Sequence, residues 1–261
     1  LFIESLTIVL DFPPFKFLNM ITILLMNYKR RENLNEIILA LKSQTIPCEI
    51  FVWNNAPEPF IHDDVDWILN SSNNSGCWPR WYMGTFAKNN YILSHDDDLL
   101  ITKADALEGL IKEYDEKGHK GMAIGPYGVI LGKNNIYFPK NILYKGLQKI
   151  GSIGIPKHLH FPKENIKVDI IKGRMLFLKK ADLNIISTLP KGPNSFIFCD
   201  DIVISAQLAN GTLGHHLVTN KLNGKIIDIE DKVSDTGLWK SHPNWKELRN
   251  EMAKFHFKEK D

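Results

Sequence analysis

Cysteine is scarce in this chain: only Cys48, Cys77 and Cys199 occur, widely spaced. Three dispersed cysteines make neither a disulfide framework nor a zinc site, and they set a reducing compartment as the default. An excess of one charge is also missing. The 32 Lys and Arg face 30 Asp and Glu, a formal net charge of +2, and the cations are scattered. No basic field argues for nucleic acid. No apolar run reaches the roughly 20 residues that cross a bilayer. Residues 1–18 are apolar but interrupted by Glu4, Asp11 and Pro13-Pro14, and no basic stretch precedes them. That argues against a signal peptide. Glycine-rich phosphate loops are absent as well. Gly128-Val-Ile-Leu-Gly132-Lys133 has the wrong spacing for a P-loop, and Gly151-Ser-Ile-Gly154 lacks the dinucleotide pattern. Any phosphate must therefore be held by other means. There is no internal repeat and no domain linker. Cytoplasm is the expected location; the lumen of the Golgi or ER is the alternative if an N-terminal anchor has been removed. Two of the three Asn-X-Ser/Thr triplets, at Asn70 and Asn73, fall where a substrate pocket is expected, and a glycan there would obstruct it.

What is present is an ordinary globular composition, 261 residues with 44% hydrophobic and 24% charged. Ile21-Thr-Ile-Leu-Leu-Met26 reads as a buried strand. Leu34, Ile37, Ile38 and Leu41 then fall at helical spacing, and Thr45-Ile-Pro47 ends that helix. Strands are expected at 49–53 and, more weakly, at 66–69. A loop follows at 70–76, then a short helix at 81–87 and a strand at 91–93. Helices are predicted at 104–114, 200–209 and 245–255, and strands at 122–125, 168–171, 175–178, 217–218 and 226–227. The rhythm implies a largely parallel sheet flanked by helices. Residues 126–165, rich in Gly, Pro and Lys, read as loops or a small hairpin.

The strand at 91–93 runs into Asp96, Asp97 and Asp98, followed at once by the apolar Leu99-Leu100-Ile101. Adjacent carboxylates repel, and partly burying them is costly unless a cation neutralises them. Hard oxygen ligands at a strand end suit Mg²⁺ or Mn²⁺ that also holds phosphate. The competing reading is a solvated turn capping the next helix. Ligands of open α/β sheets bind outside the carboxyl ends of the strands. Four polar clusters fall at such ends: 27–30, Asn54-Asn55, 73–80 and the aspartate triplet. Together they supply the arginine, amide and carboxylate groups that a metal-bound nucleotide diphosphate needs.

In order and spacing, these pieces resemble the exostosin-like family (family 64) of GT-A glycosyltransferases. The matching segments are Met26-Asn-Tyr-Lys-Arg30, Phe51-Val-Trp-Asn-Asn55, Asn74 to Arg80, His95-Asp-Asp-Asp98, Cys199-Asp-Asp-Ile202 and Gly237-Leu-Trp239, spanning about residues 20 to 250. The resemblance implies a GT-A fold, a Rossmann-like, mostly parallel central sheet flanked by helices with a smaller acceptor-side β region. Residues 1–19 would be an N-terminal extension and 20–261 one domain, with a nucleotide-binding part to about 125 and an acceptor part beyond. It implies a metal-dependent transfer of a hexosyl or N-acetylhexosaminyl group from a nucleotide sugar, most plainly a UDP-sugar, to a hydroxyl of a glycan or other acceptor. Exostosin-like enzymes retain anomeric configuration.

Carried over by residue, Tyr28, Arg30, Asn54, Asn55, Asn74, Arg80, Asp96 and Asp97 would bind the donor. Asp98, with Asp96, would hold Mn²⁺ or Mg²⁺, and Asp200 and Asp201 would be the catalytic carboxylates; His242 is a further candidate metal ligand by residue type, outside the resemblance. The chain departs from the family at Trp78-Pro79, where the family is more basic, and at Lys240-Ser-His242-Pro243, where it has a His-Arg run. Against these roles stand ordinary ones. Asp200-Asp201 can serve as an N-cap pair, Asn54-Asn55 as turn residues, and the His215-His216 pair as structure rather than ligand. The rival functions are a nucleotidyltransferase and a non-catalytic nucleotide-sugar or carbohydrate-binding module.

Overall fold

A computed structural model describes residues 21–139, 154–185, 199–230 and 243–258. Thirteen strands and five α-helices occur among them. The first four strands are β1 (Ile21–Asn27), β2 (Cys48–Asn54), β3 (Trp67–Asn70) and β4 (Tyr91–His95), interleaved with α1 (Arg31–Lys42) and α2 (Pro79–Phe86). They lie parallel, in the order β3-β2-β1-β4. All seven residues of β1 are buried, as expected for a parallel strand covered on both faces. Alternation assigns the faces. Ile23 and Leu25 pack with Leu34, Ile37 and Ile38 of α1, whereas Leu24 packs with Trp78, Trp81 and Met83 around α2. Gly84 lets α2 sit close, since a Cβ there would lie 3.0 Å from Leu183 and 3.1 Å from Leu24.

β5 (Leu99–Ile101) and α3 (Ala106–Lys117) follow, then β6 (Ile124–Gly125), β7 (Tyr127–Ile130), β8 (Lys157–His160), β9 (Ile166–Val168), β10 (Ile170–Ile171) and β11 (Met175–Lys179). α4 (Asp200–Leu208), β12 (His216–Val218), β13 (Ile226–Asp228) and α5 (Trp245–His256) complete the described chain. The central sheet continues from β4 through β11, β6, β12 and β9, and four of its seven neighbouring pairs are parallel. The expected α/β architecture, a mostly parallel sheet between helices, is present. The smaller β region is there too, as β10-β7-β8, all antiparallel.

Two elements differ from the sequence reading. Leu99–Ile101, read only as an apolar group, is a strand that pairs with β13 in a separate two-stranded ribbon. The run 168–171 is not one strand. Val168 pairs with His216 in the main sheet and Ile170 with Val129 in the small one. Asp169 stands at the change of sheet, buried, accepting the backbone N–H groups of Leu131 and Gly214. An apolar run looks the same whether its chain stays in one sheet or crosses into another. Among the described residues no helix is long and apolar enough to cross a membrane.

Candidate active site

β1, β2 and β4 run in the same direction, so Asn27, Asn54 and the residues after His95 arrive at one end of the sheet. β11 is antiparallel to β4 and pairs Met175 with His95, which brings the residues before β11 to that end as well. The first turn of α4 and one face of α5 close the other side. The result is a cavity of about 530 Å³, within the range of small-molecule sites.

The aspartate triplet forms its charged wall. The backbone N–H of Asp96 donates to the Arg174 carbonyl at 3.0 Å, and Ile229 N–H donates to the Asp98 carbonyl at 2.9 Å. Asn33, in the first turn of α1, donates to the Asp97 carbonyl at 2.8 Å. Each carboxylate faces an arginine. Arg80 Nη1 lies 2.6 Å from Asp96 Oδ1, Arg30 Nη1 lies 2.8 Å from Asp97 Oδ1, and Arg174 Nη2 lies 3.1 Å from Asp98 Oδ1. Arg174 also pairs with Asp228 at 2.8 Å, and Arg30 approaches Glu230 at 3.7 Å. Burial nevertheless dominates. It pushes the Asp97 carboxyl up against the pull of Arg30. With Asp96 adding repulsion, it pushes Asp98 up to about 7 in spite of Arg174.

The second acidic group opens α4, where carboxylates suit the positive end of the helix dipole. Asp200 accepts the Trp81 indole N–H at 3.0 Å and lies 3.6 Å from Arg80 Nε. Its Oδ1 has no hydrogen-bond partner among the described residues. A Cβ on Gly173 would come to 3.6 Å from that oxygen, so glycine keeps its approach open. Burial raises the Asp200 pKa, with Asp201 adding to the rise and Arg80 opposing it. Asp201 is held at both oxygens, Oδ1 by the Ile202 N–H at 2.9 Å and Oδ2 by Arg249 at 2.6 Å.

Arg80 ties the two groups together. It is 1% exposed, and besides Asp96 and Asp200 it donates to the Ser94 hydroxyl at 2.7 Å and the Cys77 carbonyl at 3.1 Å. Burial works against its charge, yet Asp96 and Asp200 raise its pKa above the ordinary arginine value.

The remaining expected residues divide. Tyr28, Arg30, Asn55 and Asn74 line the cavity with Arg80, the triplet and the pair. Asn54 does not line it. It lies beneath, fully buried, accepting from Asn27 at 2.6 Å and donating to the Glu58 carbonyl and to Asn70, each at 2.8 Å. Asn55 donates to the Gly76 carbonyl at 3.0 Å and accepts the Ser75 N–H at 2.9 Å, so it fixes the loop that carries Asn74. His242 and Gly237-Leu-Trp239 lie outside the described residues. His216 is in the core, fully buried, accepting the Ala123 N–H and bonded to the Ser205 carbonyl. Cys77 lines the cavity, but burial pushes its thiol up and keeps it protonated.

Sequence reading missed a second wall. Tyr137, Phe138, His158, Lys172, Trp245 and Arg249 also line the cavity. Phe138 stacks on His158 at 4.9 Å and meets Trp245 edge-on at 4.8 Å, while the Arg249 guanidinium lies 4.5 Å from the Tyr137 ring centre. Asn250 holds this wall by accepting the backbone N–H groups of Tyr137 and Phe138. A signal for Arg249 was available: with Met252 and Ala253 it falls at helical spacing on the buried face of α5. For Arg174 there was none, because its place follows from β11 running antiparallel to β4.

No protein-family model matches the chain, and no curated protein matches it. Among solved structures, it is similar to the mannosyltransferase PcManGT from Pyrobaculum calidifontis, in complex with GDP-Man and Mn²⁺, at 14% sequence identity and a TM-score of 0.48. The match covers 77% of this chain and 56% of that one, so the chain spans little more than half the neighbour's length. The exostosin-like resemblance therefore rests on the sequence motifs.

Proposed function

We propose that this cavity binds a nucleotide sugar, with a UDP-sugar as the first donor to consider, together with Mn²⁺ or Mg²⁺, and transfers the sugar to a hydroxyl of a glycan or similar acceptor. The observation that carries the reading is the convergence of two acidic groups on one cavity, the triplet at the carboxyl ends of parallel strands and the pair at a helix start, with Arg80 contacting both. Burial and the neighbouring Asp96 still disfavour the charged form of Asp98 in spite of Arg174, so a cation bound there would relieve a cost that the arginines leave.

Among the described residues no three His, Cys, Asp or Glu side chains converge as a complete metal cage. None is needed for this role, because Mg²⁺-type ions use one or two carboxylates and complete their shell with substrate phosphates and water. Asp98, with Asp96, fits that requirement. When bound, the cation would offset charge developing on the departing diphosphate. Two buried polar atoms at the cavity, Asn27 Oδ1 and Arg30 Nε, have no partner among the described residues, which suits a ligand that supplies one. Arg30, Lys172 and Arg174 supply positive charge for phosphate oxygens. Tyr28, Asn55 and Asn74 offer an aromatic face and amides for the base or ribose.

Asp201, held at both oxygens, presents its carboxylate in a set direction. That suits stabilisation of positive charge on the sugar carbon, and so retention. Asp200 Oδ1 is the oxygen left to face a substrate hydroxyl. The aromatic wall would seat the acceptor and exclude water, limiting donor hydrolysis.

Calorimetric titration of UDP and GDP, with and without Mn²⁺, tests the reading. Nucleotide binding that depends on metal and weakens at least about a hundredfold in Asp98→Asn is expected, since a direct ligand is lost. If neither nucleotide binds in a metal-dependent way, the donor-site assignment is wrong.

A further inference from the structure

A second cavity, of about 450 Å³, lies between α2 and the strands β2 and β3, of which β3 is the sheet edge. Its floor is aromatic. Trp53, Trp67, Trp78, Tyr82 and Phe86 line it, with Tyr82 54% and Phe86 64% exposed. Trp67 meets both Phe51 and Phe86 edge-on, at 5.2 and 5.4 Å, which fixes its ring. We propose that this groove is a carbohydrate-binding subsite, taking a neutral sugar unit of a glycan against the aromatic faces.

Three features point to a neutral sugar, against a hydrocarbon chain or an anion. Aromatic rings offer flat faces to the C–H side of a sugar ring. Among the described residues, the Trp67 indole N–H and the Tyr82 hydroxyl have no hydrogen-bond partner. A hydrocarbon would desolvate those groups without satisfying them, whereas sugar hydroxyls would pair with both. Ser75 adds a hydroxyl to the lining, and no charged side chain is among the residues that line the groove. A neutral ligand fits it better than an anion.

The groove also adjoins the candidate active site, with one loop as the wall between them. Asn55 lines the first cavity, and its Oδ1 accepts the Trp53 indole N–H at 3.1 Å and the Ser75 N–H at 2.9 Å, both from the groove. Ser75 and Trp78 face the groove, and Asn74, Gly76 and Cys77, from the same stretch, face the active-site cavity. A glycan in the groove would thus lie one loop away from the donor site. That purpose rests on the proposed transfer reaction; sugar binding itself does not.

The test is titration of the full chain, without nucleotide, using short neutral oligosaccharides of glucose, mannose, galactose or N-acetylglucosamine, read by tryptophan emission and calorimetry. Saturable binding by at least one series is expected. Trp67→Phe keeps the ring and deletes the N–H, and should weaken binding about threefold to tenfold. Tyr82→Ala combined with Phe86→Ala, at exposed positions that leave the fold intact, should weaken it about tenfold or more. Metal-dependent nucleotide binding should be unchanged in both variants. Sugar binding that nucleotide displaces, or that these variants leave intact, would overturn the proposal. So would binding of octanol with no binding of any oligosaccharide, self-association through this face in place of sugar binding, or no binding at all. Loss of nucleotide binding with sugar binding retained would instead count against the transferase reading alone.

Discussion

The aspartate triplet and the aspartate pair face one cavity, yet they are held in different ways. The triplet leaves a strand end, and its countercharges come from three separate places: Arg30 at the entry to α1, Arg80 on α2, and Arg174 before β11. Burial still outweighs those partners at Asp98. The pair starts a helix, where the dipole assists, and each carboxylate has a dedicated donor, Trp81 for Asp200 and Arg249 for Asp201. The difference separates two tasks that carboxylates perform. Crowded, buried carboxylates whose charged form stays unfavourable, at a wall that ligands reach, are relieved by a cation. Carboxylates locked by donors present charge in a set direction and do not need one.

Breaking the link between the groups should have the largest effect. Among the described residues, Arg80 alone pairs with both. Arg80→Met leaves Asp96 and Asp200 without their buried countercharge, and the folded state should lose about 3–5 kcal/mol in denaturant titration. A variant as stable as the wild type would mean the two groups stand independently. Arg249→Met removes a partner from the pair only. Its side chain is 12% exposed, so a smaller loss, about 2–3 kcal/mol, is expected. Nucleotide affinity should stay within about twofold while sugar transfer slows by at least about tenfold. Nucleotide binding that falls as far as in Asp98→Asn would erase the distinction between the groups.

Much of this contrast was legible in the sequence, and the reasons are local. Asp96–Asp98 could be placed at a strand end because an apolar run stops there and strand ends collect ligands in open sheets. Asp200-Asp201 could be placed at a helix start because Ile202 to Ala209 is apolar and free of breakers. The partners were harder. Arg30 and Arg80 lie within recognisable motifs, but whether their guanidinium groups face a phosphate or a neighbouring carboxylate depends on contacts 67 and 16 residues away in sequence. Arg174 became visible only with the strand direction of β11. The split at Asp169 and the pairing of β5 with β13 are likewise long-range choices that periodicity does not encode. Asn54 shows the same limit in reverse: its motif points to the cavity, while its amide is consumed beneath it by Asn27, Glu58 and Asn70.

Lys172 offers the finest test, because it lines the same cavity and is bonded to neither group. It lines the cavity, and among the described residues no carboxylate or carbonyl lies within hydrogen-bond distance of its ammonium. Burial, with repulsion from Arg249 and Arg174 and only partial relief from Asp201, lowers its pKa to about 8. An unfolded lysine titrates near 10.4. Between those values the unfolded chain binds a proton that the folded chain does not, so stability should rise with pH from about 8 towards 10. Below about 8 the charge is present and costs stability, which is the reverse of an ordinary lysine salt bridge. An anionic ligand would hold the proton on. Nucleotide binding should therefore weaken as pH climbs above about 8, where Asp98, titrating near 7, is already ionised, by several-fold between about pH 8 and 10. Lys172→Met should bind nucleotide about threefold to tenfold more weakly at neutral pH, roughly 1 kcal/mol, and the fall in affinity above about pH 8 should disappear. A variant that keeps the wild-type slope would assign the titration to another group and leave Lys172 with no part in holding the ligand.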